Sequence, residues 1–255
     1  MRARLADELA MFVLAVQFLT RIPIPAGGAY TPERLAAAPR YFPLVGAGVG
    51  ALCALLFWAT QATLGTNVAV LIALSAGLLI TGAFHEDGLA DTFDGLGVST
   101  KEKMLTVMRD SRIGTFGTAA LVAVLALKAA ALMTLPPLAV IYALVIAHGL
   151  SRLSAVLVIA SSRYVREHGT GKPTADGIDT TALGIAVGTG ALLLVLLALG
   201  TTAYAALYAA AGALAGHVLM RALFERRLGG YTGDTLGAVQ QLSELGVYLG
   251  FLVWQ

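Results

Sequence analysis

Apolar residues in this chain run in long uninterrupted blocks, and the short segments between them hold nearly all of the charge. A helix rises about 1.5 Å per residue and the hydrocarbon core of a bilayer is about 30 Å thick, so a span needs roughly 20 mostly apolar residues. Seven stretches qualify, at about 41–64, 67–84, 117–134, 136–160, 180–200, 202–223 and 236–254. An earlier run, about 9–20, is shorter and meets Arg21, Pro23 and Pro25, which predicts a helix that lies in the membrane plane or re-enters it. The expected fold class is all-α: an integral membrane helical bundle of about seven transmembrane helices plus that N-terminal helix. No strong internal repeat or low-complexity linker interrupts it, so residues 1–255 read as a single polytopic domain.

Composition agrees: 58% of residues are apolar and only 13% charged. A formal net charge of +2 is too small to argue for nucleic acid as a partner. The one cysteine, Cys53, lies in an apolar run and reads as packing, which excludes a disulfide framework. The run "LAMFVLAVQFLT" could pass for a signal-peptide core, but Asp7 and Glu8 sit in its basic flank and no clear small-x-small cleavage site precedes "RIPIP", so it is expected to be retained.

The basic residues sort the connections. Segments 21–40, 85–116, 161–179 and 224–235 hold most of the Lys and Arg, whereas the turns near Gly65, Pro136 and Gly200 hold none. Under the positive-inside rule the charged set of a multi-pass protein faces the cytoplasm. Glycines four apart, Gly46 and Gly50, Gly184 and Gly188, Gly212 and Gly216, predict seams where helices approach closely.

Against this apolar background stands "FHEDGLADTFDGLG", residues 84–97, with four carboxylates in nine positions. If the helix beginning near Asn67 continues through it, Asp87, Asp91 and Asp94 fall within about 60° on one face, just beyond the cytoplasmic end of a span. Like charges in one stripe repel by about 0.2–0.5 kcal/mol per i,i+4 pair, so a cation is expected there. Hard oxygen donors without Cys point to Mg²⁺ or Mn²⁺ rather than to a merely solvated acidic helix end. His85 points about 160° away from Asp87 and suits an interfacial hydrogen bond better than a ligand role, while Glu86, about 100° off the stripe, suits either. Both join the substrate-side candidates.

Two further clusters follow. "MRDSRIGTFG", residues 108–117, sets Arg109, Asp110, Ser111 and Arg112 before a span. Two Arg forks there would clamp a diphosphate; as plain basic flanks of a helix they would do nothing of the kind. "RRLGGYTGDTLGA", residues 226–238, adds Thr232, Asp234 and Thr235. Glu244 falls about two turns inside the last span, where an ionised group needs a partner; Lys128 or Arg152 would serve structurally, and a substrate role is the alternative.

In this order, with "FLTRIPIP" and "YFPLVGAGVGA" near the start, these clusters resemble the cobalamin synthase family, the adenosylcobinamide-GDP ribazoletransferases, nearly end to end. Phe93 departs from the resemblance, a smaller residue being expected between the acids. The resemblance implies Mg²⁺ dependence and a reaction in which the 5′-hydroxyl of α-ribazole, or of its 5′-phosphate, attacks the phosphate next to cobinamide in adenosylcobinamide-GDP. GMP leaves, and adenosylcobalamin or its 5′-phosphate forms. On that footing Asp87, Asp91 and Asp94 hold the metal with Asp110 or Asp234, and Arg109 and Arg112 hold phosphate oxygens. The base is Asp94, or Asp91 as second choice. Ser111, Thr232, His85, Glu86 and Glu244 complete the substrate-binding candidates. Partners are these small molecules and the bilayer, with a homo-oligomer left open. CDP-alcohol phosphotransferases are the nearest rival, but they carry D-G-x-x-A-R where this chain reads D-G-L-A-D. Membrane prenyltransferases use two Asp-rich motifs, and a cation transporter would hold its acids near the bilayer midplane.

Overall fold

The computed structural model describes residues 2–25, 27–166 and 178–255. Among them the chain is helical, with α1 (Arg2–Leu19), α2 (Pro32–Ala37), a 3₁₀ turn (Ala38–Tyr41), α3 (Phe42–Leu64), α4 (Thr66–Thr81) and α5 (Phe84–Leu96). Then come α6 (Lys101–Val107), α7 (Thr115–Thr134), α8 (Pro137–Ser161), α9 (Thr180–Gly200), α10 (Ala203–Leu228) and α11 (Gly233–Trp254). The fold is all-α. Six helical stretches are long and apolar enough to cross a membrane, those ending in α3, α7, α8, α9, α10 and α11. A seventh exists only if α4 and α5 are taken together, and that pair is bent by 87°.

The bend corrects the expectation of one helix running from Asn67 through the carboxylates. Helix α4 ends at Gly82, whose left-handed backbone (φ +66°) is followed by a second left-handed residue, Ala83 (φ +53°). The Ala83 N–H donates to the Leu78 carbonyl at 2.9 Å, closing the helix end by reaching five residues back. Arg21 lies where a Gly82 side chain would be, and its backbone N–H donates to the Ile80 carbonyl at 2.7 Å. The chain leaving α1 is thereby fastened to the break, and α5 turns away as a separate helix.

Helix α1 extends beyond the apolar 9–20 run because its charged first half is anchored. Asp7 pairs with Arg34 at 2.6 Å, and Glu8 pairs with Arg40 at 3.2 Å while accepting from the Tyr41 hydroxyl at 2.7 Å. Its other half buries Leu14, Ala15, Val16 and Leu19 with Phe42, Val45, Val156 and Ala186.

Helices α8 and α11 form the centre, mostly buried, whereas α7 and α9 are largely open on their outer faces. Helix α11 packs against α10, α5, α8 and α7, and α3 against α8 and α4. Two of the predicted glycine seams hold these contacts: Gly46 and Gly50 touch the α8 backbone, and Gly212 and Gly216 touch that of α11. A Cβ at any of the four would overlap a carbonyl oxygen of the facing helix. The third pair corrects the expectation, since nothing lies within 4 Å of where a Cβ would sit at Gly184 or Gly188.

Candidate active site at the α5–α11 crossing

Helix α5 buries His85, Gly88, Leu89, Ala90, Thr92 and Gly95 and leaves its carboxylates on the remaining face. It meets the start of α11 at very short range, because a Cβ on Gly88 would lie 2.6 Å from the Asp234 carbonyl oxygen. That start is fixed by a capping box: the Thr232 hydroxyl accepts from the Thr235 N–H at 3.3 Å, and the Thr235 hydroxyl accepts from the Thr232 N–H at 2.9 Å. The contact sets Asp234 beside Asp87, across two helices far apart in sequence. Asp234 also pairs with Arg166 at 2.7 Å.

The five proposed carboxylate ligands separate into three settings. Asp87 and Asp91 accept no hydrogen bond from the described residues and, with Asp234, line open space. Burial, and then the neighbouring charges of Asp87 and Asp234, push the Asp91 carboxyl up to about 7. Asp94 instead faces the start of α7, its two oxygens accepting from the Gly114 N–H at 2.6 Å and the Gly117 N–H at 2.7 Å. It caps that helix in trans, satisfying donors that have no partner within the helix. Asp110 pairs with Arg112 at 2.6 Å, and the Arg112 side chain is 86% exposed. The Arg112 guanidinium beside it holds the Asp110 carboxyl down at about 2.

Two cavities adjoin α5 and share Asp87 in their walls. The first, of about 620 Å³, also has Arg21, Phe84, Arg166 and Asp234 on its walls. The second, of about 470 Å³, is walled by Glu86, Asp91, Arg109, Asp110 and Ser111. Arg21 and Arg166, which the sequence reading did not single out, therefore stand at the acidic crossing. Arg21 lies within "FLTRIPIP", a stretch that carried the resemblance without giving this arginine a role, and nothing local marks Arg166; only the packing of α1 and of the segment after α8 brings them there.

His85 is turned into the bundle, edge-on to Phe84 with ring centroids 5.4 Å apart, and lines neither of these cavities. Thr232 is fully buried in its capping role. Glu244 is deep in the bundle, where its carboxylate accepts from Lys128 at 2.8 Å, Arg152 at 2.9 Å and Gln240 at 2.6 Å. Gln241 joins this cluster to the site: it accepts from Lys128 at 2.6 Å and donates to Glu86 at 2.8 Å. Phe93 packs against Phe116 of α7, with centroids 5.8 Å apart.

A family model described as cobalamin-5-phosphate synthase matches residues 11–252. The chain belongs to the cobalamin-5-phosphate synthase family. Like its relatives in that family, it is similar over nearly its whole length to proteins named adenosylcobinamide-GDP ribazoletransferase. One from Leptothrix cholodnii is 44% identical, with 99% of each chain covered. One from Shewanella frigidimarina is 43% identical over 96% of this chain and 95% of the relative, and one from Shewanella woodyi 44% identical over 97% of each. No solved structure matches the chain.

The donor set of this family member suits Mg²⁺. Among the described residues, no three His, Cys, Asp or Glu side chains converge tightly enough to cage a metal. Mg²⁺ does not require such a cage; it binds one or two carboxylates and keeps waters and substrate phosphates as its other ligands. Asp87 and Asp234 are oxygen donors lining one cavity, and Asp91, whose carboxyl is pushed up by burial first and then by the charges of Asp87 and Asp234, stands close by.

Proposed function

We propose that the chain is an Mg²⁺-dependent adenosylcobinamide-GDP ribazoletransferase whose site lies at the α5–α11 crossing, on the cytoplasmic side of a bacterial inner membrane. The observation that carries this reading is Asp87 standing in the walls of two cavities. Displacement at phosphorus sets the attacking and leaving oxygens roughly in line, on opposite sides of the transferred group. Two chambers meeting at one carboxylate suit that requirement. The full-length similarity to relatives bearing that name supports the substrate assignment.

Asp87 and Asp234 would hold the ion, which when bound draws charge from the phosphate oxygens and steadies the departing phosphate. The family description names a 5-phosphate product. The 5′ oxygen of such an acceptor is already esterified, which moves the nucleophile from the 5′-hydroxyl expected above to a hydroxyl on the ribose ring. That oxygen forms a bond to the phosphorus next to cobinamide, the bond from this phosphorus to the bridging oxygen breaks, and the electron pair leaves with GMP.

The hydroxyl proton passes to Asp91. The sequence put Asp94 first for this role, but both Asp94 oxygens are engaged by α7 while Asp91 faces the second cavity unbonded. Asp94 then acts as a positioning residue, because Gly114 and Gly117 follow directly on the loop that carries Arg109 and Ser111. Positioning and electrostatics are most of what phosphoryl transfer asks of a protein.

The test is to incubate the purified protein in liposomes with adenosylcobinamide-GDP, α-ribazole 5′-phosphate and Mg²⁺. GMP and a cobalamin phosphate should appear together and stop when the metal is chelated. Failure of the wild-type protein to release GMP in several lipid mixtures would overturn the assignment.

A further inference from the structure

Resting on that reading, we infer that the α1-side cavity is the seat of the leaving nucleotide, with Arg21 and Arg166 as its phosphate-binding residues, and that the acceptor occupies the other chamber. The charges on the two walls differ. The α1-side cavity sets Arg21 and Arg166 against Asp87 and Asp234. The other sets Arg109 against Glu86, Asp87, Asp91 and Asp110. A guanosine monophosphate departing with a growing second charge is favoured where cations balance the acids, and disfavoured in a chamber where carboxylates outnumber the one arginine. A neutral hydroxyl that must give up a proton is suited to the acidic chamber, where Asp91 faces it.

Both arginines have donors to spare. The Arg21 guanidinium makes no hydrogen bond or ion pair with the described residues, and its stem is held in place over Gly82 at the α4–α5 break. The Arg166 side chain is only 9% exposed, and one of its terminal nitrogens is bound to Asp234. Its Nε is buried and has no hydrogen-bond partner among the described residues. An unsatisfied buried donor is costly, and a planar guanidinium fork matches phosphate oxygens. The arrangement places Arg166 against Asp234, which would hold the ion, so a phosphate bound by the guanidinium would lie beside that carboxylate. Phe84 and Phe18, edge-on with centroids 5.7 Å apart, add aromatic surface on which a purine can stack.

The experiment measures equilibrium binding of GDP to the detergent-solubilised protein with Mg²⁺ present, by calorimetry, alongside steady-state kinetics. Arg21→Gln should weaken GDP binding about 10- to 100-fold, the range expected for losing a charged hydrogen bond, and raise the KM for the donor similarly. The KM for α-ribazole 5′-phosphate should stay within about 2-fold of wild type. Arg166→Lys, which keeps a charge beside Asp234, should weaken GDP binding without altering the thermal midpoint. Arg109→Gln should leave GDP binding intact and raise the acceptor KM. The inference is overturned if Arg109→Gln abolishes GDP binding while Arg21→Gln leaves it unchanged, or if Arg21→Gln affects only the acceptor. Either result is read against a wild-type protein that releases GMP; a wild type that binds GDP yet never releases GMP refutes the transferase reading instead.

Discussion

Replacing Glu244 by Gln removes one oxygen's worth of acceptor and all of the negative charge from the interior cluster. The side chains of Lys128, Arg152 and Glu244 are 2%, 3% and 4% exposed, so neither cation can recover its hydration after the change. In the wild type, one Glu244 oxygen accepts from Lys128 and the other from Arg152 and Gln240. A carboxamide must turn its NH₂ toward one of these sets, placing donor against donor. Breaking a buried ion pair by removing one partner costs about 3–5 kcal/mol. For a chain of this size each kcal/mol lowers the midpoint by about 2–4 °C, giving a fall of roughly 6–20 °C. Thermal unfolding in one fixed detergent, followed through the fluorescence of Trp58 and Trp254, measures it. Adding Lys128→Met removes one stranded cation, so the double variant should be more stable than the sum of the two single losses by at least about 1 kcal/mol. A Glu244→Gln midpoint within about 2 °C of wild type, or strict additivity in the double variant, would refute the reasoning.

Other changes test the site. Asp94→Asn puts an NH₂ against one of the two α7 amides; it should cost about 1.5–3 kcal/mol of stability and raise the acceptor KM while kcat changes little. Lost turnover at an unchanged midpoint would return the base role to Asp94. Gly88→Ala sets a methyl 2.6 Å from the Asp234 carbonyl, where only backbone can yield, so it should cost about 1–3 kcal/mol and raise the Mg²⁺ concentration needed for half-maximal activity. Gly184→Ala is its counterpart in open space and should leave activity alone while gaining up to about 1 kcal/mol in helix propensity. Arg112→Gln removes half of an exposed pair and should keep kcat/KM within about 2-fold; a 100-fold loss would restore Arg112 to the phosphate site.

The long apolar runs alone determined the fold class, because a bilayer accepts few alternatives to helices of about 20 residues and the spacing of charged loops follows from the same constraint. The three polar clusters were equally legible: chemistry-bearing residues in an apolar chain stand out, and their order carried the family resemblance. Local pattern had no access to partners brought from elsewhere in the chain. The break at Gly82 and Ala83 is fastened by Arg21 from the segment that follows α1, and the similar-looking aspartates of one short helix part company according to what faces each. Asp94 meets the amides of α7, while Asp87 shares a cavity wall with Asp234 at the start of α11. Gly184 and Gly188 repeat the spacing of the seam glycines but face open space, since spacing specifies a stripe and not the neighbour that covers it. Residue type and period are properties of one segment, and so the sequence could determine them; charge pairing, close approach and cavity walls belong to pairs of segments, and only their packing decided those.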